Sequence, residues 1–269
     1  MVSIISALGA PWVATVLLLS ARLAALLLMT PFLHAMPVPG VVKALLVLGL
    51  SSVLALPFLA AAPPPPAGLG PLLQAFLGEL AIGATLGLGI LMAFSGFALA
   101  GRVLDVQVGF GIAQVLDPTT RTLAPILTSV FSLVGALLFF LVNGHHALLR
   151  GVAWSIEKFP IGQPWSVQGA VEPVVRQAAG LFTLGFALAA PVVVCVFLVE
   201  FALGVVARNL PQINMLVLGI PVKIVVGLLA LSVWAGAMGG PMLRIYGEIY
   251  AAWTAWFDSA SAAPSQGRR

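Results

Sequence analysis

Four ionisable residues stand inside or at the edge of strongly apolar sequence: Arg22, Glu79, Glu200 and Lys223. A charge at the centre of an apolar membrane helix costs roughly 2.5–3.5 kcal/mol on insertion scales, so each of the four needs a reason. Ion coupling or a polar conduit is the functional one. The plainer one is snorkelling to an interface or pairing with another subunit, because no two of them share an i, i+4 spacing within one segment. Glu79 also opens the pattern Glu79-x3-Gly83-x3-Gly87, a carboxylate and two glycines near one stripe. Small residues at that spacing let helices approach closely, and helix packing is favoured here over a ligand site.

Two further stretches carry polar groups that the surrounding sequence lacks. The run Arg208-Asn209-Leu210-Pro211-Gln212-Ile213-Asn214 interrupts continuous apolar sequence and is followed by Pro221 and Lys223. Backbone broken at such a place must find hydrogen-bond partners in protein or water, because lipid offers none. Residues 102–121 alternate polar and apolar side chains, bracket Phe110 between Gly109 and Gly111, and close on Asp117-Pro118. The glycines relieve backbone restriction beside a bulky side chain. Such a loop can bend and present Phe110 to a narrow space as a flexible plug, or it can serve as a re-entrant or interfacial turn.

The signatures of several chemistries are missing. There is no HExxH, GxSxG or Walker A sequence and no paired-cysteine metal motif. Gly87-Leu88-Gly89 lies in an apolar helix and lacks the strand–turn–helix setting of a dinucleotide site. His145 and His146 are consecutive and so face different ways on a helix, and His34 is the one other histidine. The single Cys195 excludes an intramolecular disulfide and is expected to be a buried, inert side chain. Neither an enzyme nor a cofactor is expected, and no basic block points to nucleic acid.

The elements that must position these residues follow from composition. Of 269 residues, 61% are hydrophobic and 7% charged, against roughly 25% charged in soluble domains. Mean hydropathy is +1.14. Too few charges remain to wet a globular surface, so the chain is expected to be an all-α integral membrane protein. Six stretches approach the roughly 20 apolar residues that a span needs: residues 11–29, 41–62, 80–100, 123–142, 178–206 and 215–242. Between them, residues 30–40 hold three prolines and residues 63–66 are all proline, both stiff connections. Residues 101–122 and 144–177 are expected to be a polar loop and a long connector. The N-terminus lacks a basic region and a cleavage site, and is expected to be retained as the first membrane segment. With six spans, loop and tail basic residues divide six to four, a small bias toward cytoplasmic termini. One domain over residues 1–258 is expected, followed by a polar tail over residues 259–269.

Taken in order, these features resemble the FliR family of flagellar export-gate proteins, whose injectisome counterpart is the SctT family. The resemblance is carried by the Pro31/Pro37/Pro39 corner, Glu79 with the glycine-rich residues 80–90, and Gly101 through Gly109 to Asp117-Pro118. It continues through Asn143-Gly144-His145, the Phe159-Pro160-Ile161-Gly162 turn, Ala190-Pro191, and the Arg208, Pro211, Gln212, Asn214, Pro221, Lys223 block. It implies a non-enzymatic channel subunit, assembled with FliP-like and FliQ-like subunits and served by FlhB-like and FlhA-like export components. The cargo would be unfolded flagellar proteins, and the place the inner membrane within the flagellar basal body. It implies about six hydrophobic helical segments, as kinked helices and hairpins packed in a helical assembly, in place of a simple serpentine. It also places a pore-sealing plug over residues 107–117, centred on Gly109, Phe110, Gly111 and Ile112, in a gate loop that includes Gln107, Asp117 and Pro118. Arg208, Pro211, Gln212, Asn214, Pro221 and Lys223 would satisfy broken backbone and fix subunit contacts. The alternatives are an injectisome export-gate subunit, or a small-solute transporter using Glu79, Glu200 and Lys223 as a relay.

Overall fold

A computed structural model describes residues 2–31, 38–57, 68–110, 114–116, 123–162, 171–210 and 215–262. The protein is an all-α membrane protein with one small hairpin. Among the described residues the helices are α1 (Val2–Met29), α2 (Gly40–Ala55), α3 (Leu69–Val108), α4 (Ile126–Leu141), α5 (Gly144–Lys158), α6 (Val171–Asn209), α7 (Met215–Ala235) and α8 (Gly239–Ala262). Between α3 and α4, strands β1 (Gln114–Leu116) and β2 (Leu123–Pro125) pair antiparallel, Gln114 opposite Pro125 and Leu116 opposite Leu123.

The expected spans are unequal in length among the described residues. Among the described residues four helices are long and apolar enough to cross a membrane, or five if α4 and α5 form one broken span. In the stretch expected at residues 41–62, the α-helix among the described residues is α2 with 16 residues, short of the roughly 20 that a span needs. By contrast α3 has 40 residues, about 60 Å at 1.5 Å per residue, twice the ~30 Å hydrocarbon core. Residues 101–108 continue this helix instead of starting a loop. Gly101 is a packing position: a Cβ there would stand 2.5 Å from the Thr128 Cα. The helix stops at Gly109, whose φ of +102° only glycine adopts without strain.

The long connector expected at residues 144–177 contains a helix. In α5 the buried positions Leu148, Val152, Ser155 and Ile156 recur at helical spacing, so an amphipathic helix forms despite its polar outer face. The aromatic stretch near the C-terminus is likewise helical, as α8, with Tyr246, Trp253, Trp256 and Phe257 buried. Residues 263–269 of the expected tail lie outside the described residues.

The chain divides into two compact units. The first comprises Met1–Leu91, Asn143–Gln177 and Ile249–Arg269; the second comprises Met92–Val142 and Ala178–Glu248. In the first, α1 packs on α2, and Leu19, Leu23, Leu26, Ile82, Leu86 and Trp256 are fully buried. In the second, Phe94, Phe97, Phe139 and Tyr246 form an aromatic cluster with ring centroids 5.5–6.2 Å apart. The Tyr246 hydroxyl donates to the Gly135 carbonyl, and burial pushes that phenol well above its ordinary range.

Candidate functional site

The four apolar-sequence charges are paired within the chain, and the pairs fall in different units. In the first unit Arg22 of α1 and Glu79 of α3 meet at 2.6 Å, with side chains 0% and 1% exposed. The guanidinium spends all three of its nitrogens: Nε donates to Glu79 Oε2, Nη1 to Ser155 Oγ at 3.0 Å and Nη2 to the Phe159 carbonyl at 3.0 Å. The second carboxylate oxygen of Glu79 accepts the Gly162 N–H at 2.8 Å. A buried pair is tolerated when its remaining donors and acceptors are also satisfied, which this arrangement achieves. The expectation that these residues snorkel or pair with another subunit is therefore corrected. The pairing joins distant helices, which a search for i, i+4 partners cannot find.

Glycines make that burial possible. A Cβ on Gly83 would lie 2.0 Å from the Arg22 carbonyl oxygen, and one on Gly87 would lie 2.8 Å from Met29 Cβ. The Glu79, Gly83, Gly87 stripe thus seats α1 directly on α3, bringing Arg22 within reach of Glu79. In this unit Lys158 and Asp258 also meet at 3.1 Å, a far more exposed pair of little energetic weight.

In the second unit the groups singled out around the glycine-bearing loop converge at its base. Asp105, 1% exposed, accepts the Leu127 N–H at 2.9 Å through one carboxylate oxygen. The other accepts the Thr128 N–H at 2.8 Å and the Thr128 hydroxyl at 2.7 Å. Pro125, at the start of α4, offers no side-chain cap. The exposed donors of the first turn are satisfied instead by a carboxylate reaching across from α3, with the favourable interaction of an anion at a helix N-terminus. Asp105 was missed as a site residue by sequence reasoning. The uncapped Pro125-Ile126-Leu127-Thr128 start was a signal that a cap must come from elsewhere.

Gln107, Glu200 and Lys223 form the second attachment. Lys223 Nζ of α7 stands 2.6 Å from Glu200 Oε1 of α6, and Gln107 Nε2 of α3 donates to Glu200 Oε2 at 3.3 Å. Gly227 of α7 presses on Val108 so closely that a Cβ there would lie 2.7 Å from Val108 Cγ2. Gly109 and Phe110 follow, both half-buried. Gly111, Ile112, Asp117 and Pro118 lie outside the described residues, as do Pro211, Gln212 and Asn214. Arg208 is exposed near the end of α6, and Pro221 lies within α7 and is exposed. Neither belongs to the cluster at Glu200.

One expectation changes at a single residue, and one residue takes an unusual backbone conformation. Cys195, expected to be buried, is exposed on α6. Asn143 adopts the left-handed conformation at φ 56° between α4 and α5, a geometry that asparagine tolerates better than most residues. Among the described residues no three His, Cys, Asp or Glu side chains are grouped to hold a metal ion.

Long apolar helices, two internally paired sets of charges within them and a loop with a clamped base define an integral membrane protein of the all-α class. Residues 13–249 match the profile of the bacterial export proteins, family 1, and the chain belongs to that family. It is 38% identical over 159 residues to the flagellar biosynthetic protein FliR of Bacillus subtilis, covering 58% of this chain and 61% of that one, less than two thirds of its length. It is 27% identical over 234 residues to FliR of Escherichia coli, covering 85% and 87% of the two chains. The Yop proteins translocation protein T of Yersinia pestis is 27% identical over 170 residues, covering 60% and 62%.

Proposed function

We propose that this chain is a non-enzymatic channel subunit of a flagellar type III protein-export gate, with the loop after Gly109 acting as the seal of its closed pore. The similarity to FliR from Bacillus subtilis and Escherichia coli favours the flagellar apparatus. The Yop translocation protein equals FliR of Escherichia coli in identity but over 60% of the chain against 85%, and is less similar than FliR of Bacillus subtilis, which leaves the injectisome reading second. In this reading FliP-like and FliQ-like subunits complete the channel in the bacterial inner membrane, FlhB-like and FlhA-like components serve it, and unfolded flagellar subunits pass through. Residues 1–258 act as one export-gate domain, and residues 259–269 take no part in the seal.

One observation carries the seal: a glycine-flanked Phe110 leaves a helix whose last turns are fixed by a buried carboxylate and a tight glycine contact. A bulky apolar side chain on permissive backbone can close a narrow pore by dewetting. It can do so only if the base of its loop does not drift, and Asp105 with Val108 against Gly227 supplies that fixity. The pairings weigh against the transporter reading, because Glu79 is engaged by Arg22 and Gly162 and Glu200 by Lys223.

The test is ion leak across the inner membrane of cells co-expressing the chain with FliP- and FliQ-like partners. Deleting residues 109–112 should raise the leak by roughly ten-fold over the native loop, and only with the partners present. An assembled complex that stays tight after the deletion would remove the seal from this loop. Solute uptake by the chain alone would restore the transporter reading.

A further inference from the structure

The two attachments at the base of the loop differ in kind. Asp105 is fully buried and spends both carboxylate oxygens on the first turn of α4. Nothing there can exchange with water without uncapping a helix. Glu200 and Lys223 are different: their side chains are 37% and 21% exposed. Glu200 uses one oxygen for Lys223 and the other for Gln107, and the second contact, at 3.3 Å, is the longer. Gln107 stands two residues before Gly109, where the chain leaves the helix with φ +102°. Whatever holds Gln107 therefore sets the direction in which the loop departs.

We infer that the Lys223/Glu200 ion pair, extended to Gln107, is a releasable latch that holds the loop-bearing end of α3 against α6 and α7 in the closed state. Asp105 is the fixed hinge about which that end turns. The inference rests on the seal reading and adds to it the residues that regulate the seal. Partial exposure is the physical basis for release. Water or a polar segment of passing chain can replace each partner of Glu200 in turn, so opening strands no buried charge. The close contact of Gly227 with Val108 limits the movement to a swing of the last turn, because any wider separation would open a void there. Glu200, Lys223 and Gln107 are thus positioning residues that touch the seal through the backbone of α3.

The experiment measures ion leak in cells co-expressing the chain with FliP- and FliQ-like partners, comparing native, Glu200→Lys, Lys223→Glu, the double reversal, and the deletion of residues 109–112. Assembly of each is verified by co-purification. Each single reversal should leak roughly ten-fold more than native, approaching the deletion. The double reversal, which restores an ion pair with its signs exchanged, should return to within about two-fold of native. A lesion that merely damaged folding would not be repaired by a second charge change. Should the reversals fail to assemble, the milder Glu200→Gln and Gln107→Leu are read instead in a Cys195→Ser background carrying Phe110→Cys. There the thiol at position 110 should react with a water-soluble maleimide several-fold faster than in the unlatched variants' parent. Tight single reversals beside a leaking deletion would overturn the latch and leave the seal standing, as would leaks that the double reversal does not repair. A deletion that stays tight would overturn both.

Discussion

At the scale of single residues, the buried Arg22/Glu79 pair makes the sharpest claim. Both side chains are out of water, so removing one strands a charge with its remaining partners. Arg22→Ala or Glu79→Ala alone should cost about 3–5 kcal/mol. The double substitution should cost clearly less than the sum, because the second change removes the stranded charge. Thermal unfolding of the purified assembly, followed by loss of its monodisperse peak, checks this; strict additivity would mean that the two groups do not depend on each other. The charges themselves were legible in the sequence as residues needing a reason. Their partnership was not, because Arg22 and Glu79 are 57 residues apart and Ser155 and Gly162 come from a stretch that read as connector.

At the scale of elements, α4 depends on a cap it does not carry. Asp105→Ala would leave the Leu127 and Thr128 N–H groups without their acceptor. The loss of about 2 kcal/mol, at the upper end for helix caps, corresponds to roughly thirty-fold more frequent opening of the first turn. Hydrogen exchange of peptides covering residues 126–130 should accelerate accordingly, while peptides from the middle of α4 change little. Exchange unchanged in this window would show that solvent caps the helix equally well. The helix that supplies this cap, α3, illustrates why a glycine is an ambiguous mark. Gly101 reads as a helix end, yet it stays helical because Thr128 packs where a side chain would be. Gly109, in similar sequence, ends the helix because its positive φ satisfies the C-terminal geometry. Sequence spacing gave no way to assign those two roles, which depend on what lies opposite each residue.

At the scale of the whole molecule, the apolar surface is far from self-satisfied. The membrane-length window of α7 is only 6% buried and that of α6 28%, with Phe201, Leu198, Val217 and Val233 all largely exposed. Lipid can cover such faces, and so can neighbouring subunits, which is what the proposed hetero-oligomer requires. Cys195 reports on the choice, being the sole cysteine and exposed on α6. In detergent, the isolated chain should be modified rapidly by maleimide, and the co-purified assembly with FliP- and FliQ-like partners should react roughly ten-fold more slowly. Equal rates would place α6 on the outside of the assembly and assign its apolar face to lipid.

The sequence by itself determined the solvent, the helical class and the family. Each of these is set by composition or by ordered local patterns: hydropathy that no globular surface could bear, and proline and glycine punctuation that survives without knowledge of contacts. It also identified Gln107, Gly109, Phe110, Glu200 and Lys223 as residues out of keeping with their surroundings, though under separate headings. Only the tertiary structure decided that Gln107, Glu200 and Lys223 belong to one cluster, that Arg22 and Glu79 are mutual partners, and that Asp105 caps a helix 22 residues away. The physical reason is common to all three. A buried polar group is satisfied by whichever donor or acceptor packing brings within 3 Å, and packing is settled by the complementary faces of distant helices, information that no local spacing contains.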